Sequence, residues 1–235
     1  MSQRFDINPI LNSPYEKPQK YWQLDEAGKP TGLILDSRRA SAHIVPIPAS
    51  QQRRRKEAQQ TELNLEEETT ENPIINRIRR QVDDWRLKPL EQQDVTYVSQ
   101  KLLSHWRQGK TTPRPFFCQV EAAETLIWLN EVAPHTADGQ RILIELKEAN
   151  AEANPGLLRY ASKMATGSGK TTVMAMMIAY QTINKSRQAN SSRFSNNFLI
   201  IAPGITIKDR LRVLLPSDPD SMYVGRGIVP SEFAE

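Results

Sequence analysis

"MATGSGKTTVMAMM", residues 164–177, sets two glycines one residue apart just before a Lys-Thr pair. Gly167 and Gly169 allow the backbone to curl tightly, so that successive N–H groups converge on one point. The residues after them are good helix formers, and a helix starting near Lys170 would add its positive end to the same point. That is the physics of a phosphate-binding loop, G-x-x-x-x-G-K-[ST]. In it the Lys170 ammonium would reach the β- and γ-phosphates of a nucleotide, and the Thr171 hydroxyl would ligate Mg²⁺. The strict pattern calls for glycine at position 164, and Met164 stands there.

Context supports the loop. "LLRYASKM" (157–164) is a strand candidate before it, and "TTVMAMMIAYQTIN" (171–184) is a helix after it. A polar connection, "SRQANSSRFSNN", leads to "FLIIAP" (198–203), a continuous apolar run that suits a buried parallel strand. "TIKDRLRVLLP" (206–216) reads as a further helix. The order strand, loop, helix, strand, helix is a βαβ unit of an α/β protein.

Upstream, periodicity predicts helices. Asn72-Pro73 has the chemistry of a helix start, and Ile74, Ile78, Val82 and Trp85 fall on one face. Val95, Val98, Leu102 and Trp106 mark a second helix, with Gly109 as its C-terminal stop. The two form a helical hairpin, residues 73–110, in which Trp85 and Trp106 serve as core rather than as a platform for stacked bases. "CQVEAAETLIWLNEV" (118–132) continues helical, with Val120, Ala123, Leu126 or Ile127, and Leu129 inward, and "ADGQRILIELKEANAEA" (137–153) is another helix. Residues 51–72 carry basic then acidic runs with little apolar content and read as a charged linker. Its Arg53, Arg54, Arg55 and Lys56 are a candidate phosphate-contacting patch, with a solvated flank as the plainer reading. Residues 1–50 are proline-rich, with a turn at Gly28-Lys29-Pro30 that makes a small hairpin plausible.

The string 164–171 resembles the A-x-T-G-x-G-K-T motif of superfamily 2 helicases and translocases, in which the first glycine is relaxed. "RPFFCQVEAAETLIWL" (114–129) resembles the segment upstream of that loop in type III restriction endonuclease Res subunits. "LIIAPGITIKDRLRVLLP" (199–216) is similar to their motif Ia, and the first 50 residues resemble the N-termini of related proteins. The resemblance implies an incomplete RecA-like P-loop domain over 111–235, a parallel sheet with helices on both faces, preceded by the helical hairpin and an irregular or β N-terminal segment. It implies ATP and Mg²⁺ as cofactors, bound by Thr166, Gly167, Ser168, Gly169, Lys170, Thr171 and Thr172, with Lys170 and Thr171 carrying the catalytic roles. Gln119 corresponds to a glutamine that reads the adenine edge. Pro203, Gly204, Thr206 and Lys208 correspond to positions that touch the DNA backbone. Implied partners are double-stranded DNA and a modification methyltransferase subunit. The expectation is thus the N-terminal portion of a DNA-dependent ATPase of a restriction enzyme, inactive by itself.

Other features restrain that reading. An ATPase of this kind needs an acidic pair after a later strand, yet Asp209, Asp218, Asp220, Glu232 and Glu235 follow no apolar strand. Asp138, Glu145 and Lys147 mimic the D…E-x-K spacing of a nuclease centre, but the stretch runs on into helix-favouring sequence. The single Cys118 and the scattered His43, His105 and His135 do not suggest a disulfide framework or a metal cluster. A net charge of +4, from 31 basic and 27 acidic residues, permits nucleic-acid binding without demanding it. With no signal peptide and no long apolar segment, the chain is expected to be soluble and cytoplasmic. Two other functions stay open: another P-loop NTPase or kinase, and a catalytically dead remnant that binds ATP or DNA.

Overall fold

The computed structural model describes residues 10–25, 29–45 and 68–233, the side chains of 43–45 and 68–70 excepted. The Arg53–Lys56 patch lies outside them. The chain divides into two compact units, Met1–Arg77 and Ile78–Glu235.

In the first unit, β1 (Tyr21–Leu24) and β2 (Pro30–Leu35) form an antiparallel hairpin in the register Tyr21↔Leu35, Trp22↔Ile34 and Leu24↔Pro30, with an irregularity between Trp22 and Leu24. The Asp25 carboxylate accepts from the Lys29 N–H at 2.7 Å, and the Asp25 N–H donates to the Lys29 carbonyl at 2.8 Å, so the strand ends are tied where the turn was expected. β3 (Ala42–Val45) pairs antiparallel with β4 (Glu68–Glu71). β4 lies inside the stretch read as linker; its Thr-Thr centre suits a strand, whereas its glutamates hide that in a charge count.

α1 (Pro73–Arg86) begins at the Asn72-Pro73 signal, and its Ile78, Val82 and Trp85 are buried. α2 (Tyr97–Arg107) starts at Thr96, whose side chain accepts from the Ser99 N–H. It ends at Gly109, φ 64°, whose N–H donates to the Trp106 carbonyl while that of Lys110 reaches the His105 carbonyl. Both tryptophans are core: Trp85 Nε1 donates to the Gln93 carbonyl at 2.8 Å and Trp106 Nε1 to the Ile228 carbonyl at 2.9 Å. α3 (Phe117–Ile127) widens into a π-turn over Trp128–Val132. α4 (Ala137–Ala153) is capped by Thr136 Oγ1, which accepts from the Gly139 N–H. α5 (Lys170–Arg187) follows the glycine loop. α6 (Ile205–Arg210) is one short piece of the longer helix expected there, and α7 is Met222–Gly225.

The core lies where α2, α3 and α5 meet. Leu102, Leu103 and Trp106 of α2, Ala123 and Ile127 of α3, and Val173, Met176, Ala179 and Tyr180 of α5 are buried. At about 1.5–3 kcal/mol for each large apolar side chain buried, this contact fixes how α5, and with it the loop at its N-terminus, is held.

The expected parallel sheet is not formed: among the described residues there are two two-stranded antiparallel sheets, both before Pro73. Residues 157–165 and 198–202 carry no strand pairing. Leu199 and Ile201 are 86% and 83% exposed, and Leu157 and Leu158 are exposed as well. A continuous apolar run becomes a parallel strand only when neighbours pair on its edges and layers cover both faces. Among the described residues neither condition is met. The Asp138, Glu145 and Lys147 triplet sits on α4, with Asp138 paired to Arg141 at 3.4 Å on the surface, which is a helix face rather than a nuclease strand.

Candidate functional site: a glycine loop at the head of a helix

The loop is built on backbone that L side chains rarely adopt. Gly167 has φ 79° and Gly169 has φ 78°, both in the left-handed region, and α5 begins at the next residue, Lys170. Gly169 is the N-cap, and its carbonyl accepts the first helical bond, from the Thr172 N–H at 3.0 Å. Turns of this kind aim amide groups at an anion. Thr166, Gly167 and Lys170 are exposed, and Ser168, Gly169, Thr171 and Thr172 are half-buried.

The Ala165 carbonyl gathers three donors. It accepts from the Ser168 N–H at 3.3 Å, from Ser168 Oγ at 2.7 Å and from Lys170 Nζ at 2.8 Å. The lysine expected to meet phosphate is thereby folded back on its own loop. Lysine is a flexible point charge, and an exposed ammonium–carbonyl bond is readily exchanged for a phosphate oxygen.

Gln119 comes to the same place from α3. Its Oε1 accepts from the Phe116 N–H at 3.0 Å, and its Nε2 donates to the Ser168 carbonyl at 3.0 Å. It is buried, and a Cβ on Gly169 would lie 2.0 Å from Nε2. Cys118 Sγ stands 4.0 Å from that same Ser168 oxygen. Burial, the largest cause, raises the Cys118 thiol pKa. Pro203, Gly204, Thr206 and Lys208 occupy the start of α6 and are exposed, with Gly204 at φ 102°. Among the described residues, no hydrogen bond joins them to the glycine loop.

Two buried polar clusters tie the helices together. Glu124 of α3 is fully buried and takes Arg86 Nε from α1 and Arg107 Nε from α2, each at 2.7 Å. Arg86 also meets Asp83 at 2.5 Å, and Arg107 Nη1 donates to Gln93 at 3.0 Å. Burial works against the Arg86 charge, and the carboxylates of Glu124 and Asp83 outweigh it, holding its pKa above the usual value. In the second cluster, Glu131 on the π-turn accepts from the Thr96 N–H at 2.7 Å and Ser99 Oγ at 2.6 Å, at the head of α2. Asn184 of α5 donates to Ser99 Oγ at 3.2 Å, and Asn130 donates to the Tyr180 hydroxyl at 2.8 Å. Burial, with the Glu131 charge beside it, drives the Tyr180 pKa strongly upward.

These buried ions were not foreseen from the sequence. A signal for one existed: Glu124 interrupts the inward face made by Val120, Ala123 and Ile127, which marks a buried charge in need of partners.

Among the described residues no three acidic, histidine or cysteine side chains gather as a metal cluster, and no helix is long and apolar enough to cross a membrane. Comparisons with curated proteins and with solved structures returned no match. The family model described as type III restriction enzyme, res subunit, matches residues 115–216, which hold Gln119, the glycine loop, α5 and residues 203–208. A RecA-like, helicase-type ATPase region is the fold this match implies. Over those residues the chain is similar to the res subunit of type III restriction enzymes, which supports a Res-like fragment of the helicase superfamily.

Proposed function

We propose that the chain binds Mg·ATP through Thr166–Thr172 and is the nucleotide-binding portion of a DNA-dependent translocase of a type III restriction enzyme. The observation that carries this is the loop itself: two left-handed glycines, then a helix of 18 residues opening at Lys170. The positive end of α5 and the Lys170 ammonium suit a polyphosphate.

For Mg²⁺ the fit is partial. Thr171 sits one residue after the lysine, as a hydroxyl ligand would. Mg²⁺ in such sites takes its remaining ligands from phosphates, waters and one or two carboxylates. The ion would offset phosphate charge; the chain's own residues hold the phosphate chain and orient it. Double-stranded DNA along Pro203, Gly204, Thr206 and Lys208 belongs to the same reading, supported by their exposure and by the cationic Lys208 and Arg210 on α6. A methyltransferase subunit as partner follows from the family likeness alone.

Replacing Lys170 by Ala should remove Mg·ATP binding while leaving thermal unfolding unchanged. Replacing Lys208 by Ala should weaken DNA binding uniformly across sequences and lower its log–log salt slope by about 1. Unaltered nucleotide binding in the first variant would sink the site.

A further inference from the structure

The first unit, Met1–Arg77, lies wholly outside the residues that the family model matches, and it carries a cavity of its own. The cavity, about 370 Å³, sits at the open end of the β1–β2 hairpin, between residues 17–20 on one side and 36–38 on the other. The register Tyr21↔Leu35 sets Lys20, just before β1, beside Asp36, just after β2, and their charges stand 3.6 Å apart. The Asn12 side chain holds the first side in place. Its Oδ1 accepts from the Gln19 N–H at 2.9 Å and the Lys20 N–H at 3.0 Å, and its Nδ2 donates to the Lys20 carbonyl at 2.8 Å.

The lining is cationic: its charged residues are Lys17, Lys20 and Arg38 against Asp36. Lys17 and Arg38 have contacts within the chain. An ammonium nevertheless carries three N–H donors and a guanidinium five, which leaves donors for an anion. The Lys20–Asp36 pair is exposed, and such a pair is readily exchanged for a phosphate oxygen.

A small-molecule site encloses its ligand within mostly apolar walls. Here Pro18 is the one apolar residue of the lining, and all of the lining is exposed except the half-buried Pro18 and Arg38. The cavity suits one charged group of a polymer whose remainder stays outside, and a backbone phosphodiester meets that description. We propose that this cavity is a phosphate-contacting site for a nucleic-acid backbone, with Lys20 and Arg38 engaging phosphates from opposite sides and without regard to base sequence. It is a second contact besides the one read at Lys208, and it stands whether or not the glycine loop takes a nucleotide.

The test is fluorescence anisotropy of two duplex DNAs of unrelated sequence on the 235-residue chain, from about 50 to about 200 mM salt, with thermal melting run alongside. Lys20→Gln with Arg38→Gln removes two positive charges and keeps a polar side chain at each position. It should lower the log–log salt slope by about 2 on both duplexes, so that the affinity lost across this range shrinks about 10-fold. Asp36→Asn removes the opposing charge and should tighten both duplexes. An unchanged slope in the double variant, or unchanged affinity in Asp36→Asn, overturns the proposal. So does an effect on one duplex alone, and so does inorganic phosphate that displaces DNA at equal phosphate concentration, which would mark a site for a free anion.

Should the double variant not fold, Asp36→Asn still decides, because it takes a charge from an exposed side chain. Failure of the reading at Lys208 looks different: Lys208→Ala would leave the salt slope intact while the Lys20 and Arg38 variant lowers it. Where Lys208→Ala alone lowers the slope, the hairpin cavity is struck and that reading stands. An unaltered chain that binds neither duplex contradicts both.

Discussion

Gly167 and Gly169 share a φ near 80° and differ in surroundings, so they separate backbone strain from steric contact. A Cβ at either position pays the left-handed penalty of about 1–2 kcal/mol. At Gly169 it must also displace the buried Gln119 amide. Gly169→Ala should therefore abolish nucleotide binding and lower the melting temperature, while Gly167→Ala should keep measurable binding at reduced affinity. Titration calorimetry on the two variants checks the order; equal effects would mean that the close approach of Gln119 to Gly169 does not persist in solution. The spacing of these glycines was legible in the sequence because Gly-x-Gly-Lys-Thr has one main physical use. The contact of Gln119 with the Ser168 carbonyl was not legible, since a hydrogen bond spanning 49 residues leaves no mark on either segment.

Among the elements, the helices were the most readable. The face Ile78, Val82 and Trp85 on α1 and the face Val98, Leu102 and Trp106 on α2 follow directly from the 3.6-residue period. Residues 157–164 and the continuous apolar run 198–203 were read as strands. Pairing is a property of neighbours rather than of one segment, and among the described residues no neighbour pairs with them. What holds α1, α2 and α3 in place besides apolar contact is Glu124 with its two arginines. Removing one member of a buried ion pair leaves the others uncompensated and costs about 3–5 kcal/mol. Glu124→Ala should thus lower stability by that amount in urea titration, and Glu124→Gln, which can still accept from one arginine, by less. A loss under about 1 kcal/mol for the alanine variant would show that the two guanidinium groups find water instead.

For the molecule as a whole, the exposed apolar runs are the conspicuous liability. Leu199 and Ile201, both more than four-fifths exposed, lie on a segment that pairs with no strand among the described residues. Unpaired backbone beside apolar side chains is a template for pairing with other chains. The chain should associate with rising concentration in light scattering, and the double change Leu199→Lys with Ile201→Lys should suppress this without moving the melting temperature. Association that is insensitive to those changes would locate the sticky surface elsewhere.

If the loop at the head of α5 is a working polyphosphate site, equilibrium dialysis of Mg·ATP against the chain will show it. Binding should be saturable at one site per chain, competed by Mg·tripolyphosphate and weakened at least about 10-fold by Lys170→Ala. Binding of the same strength in the unaltered chain and in Lys170→Ala, or none in either, would contradict it.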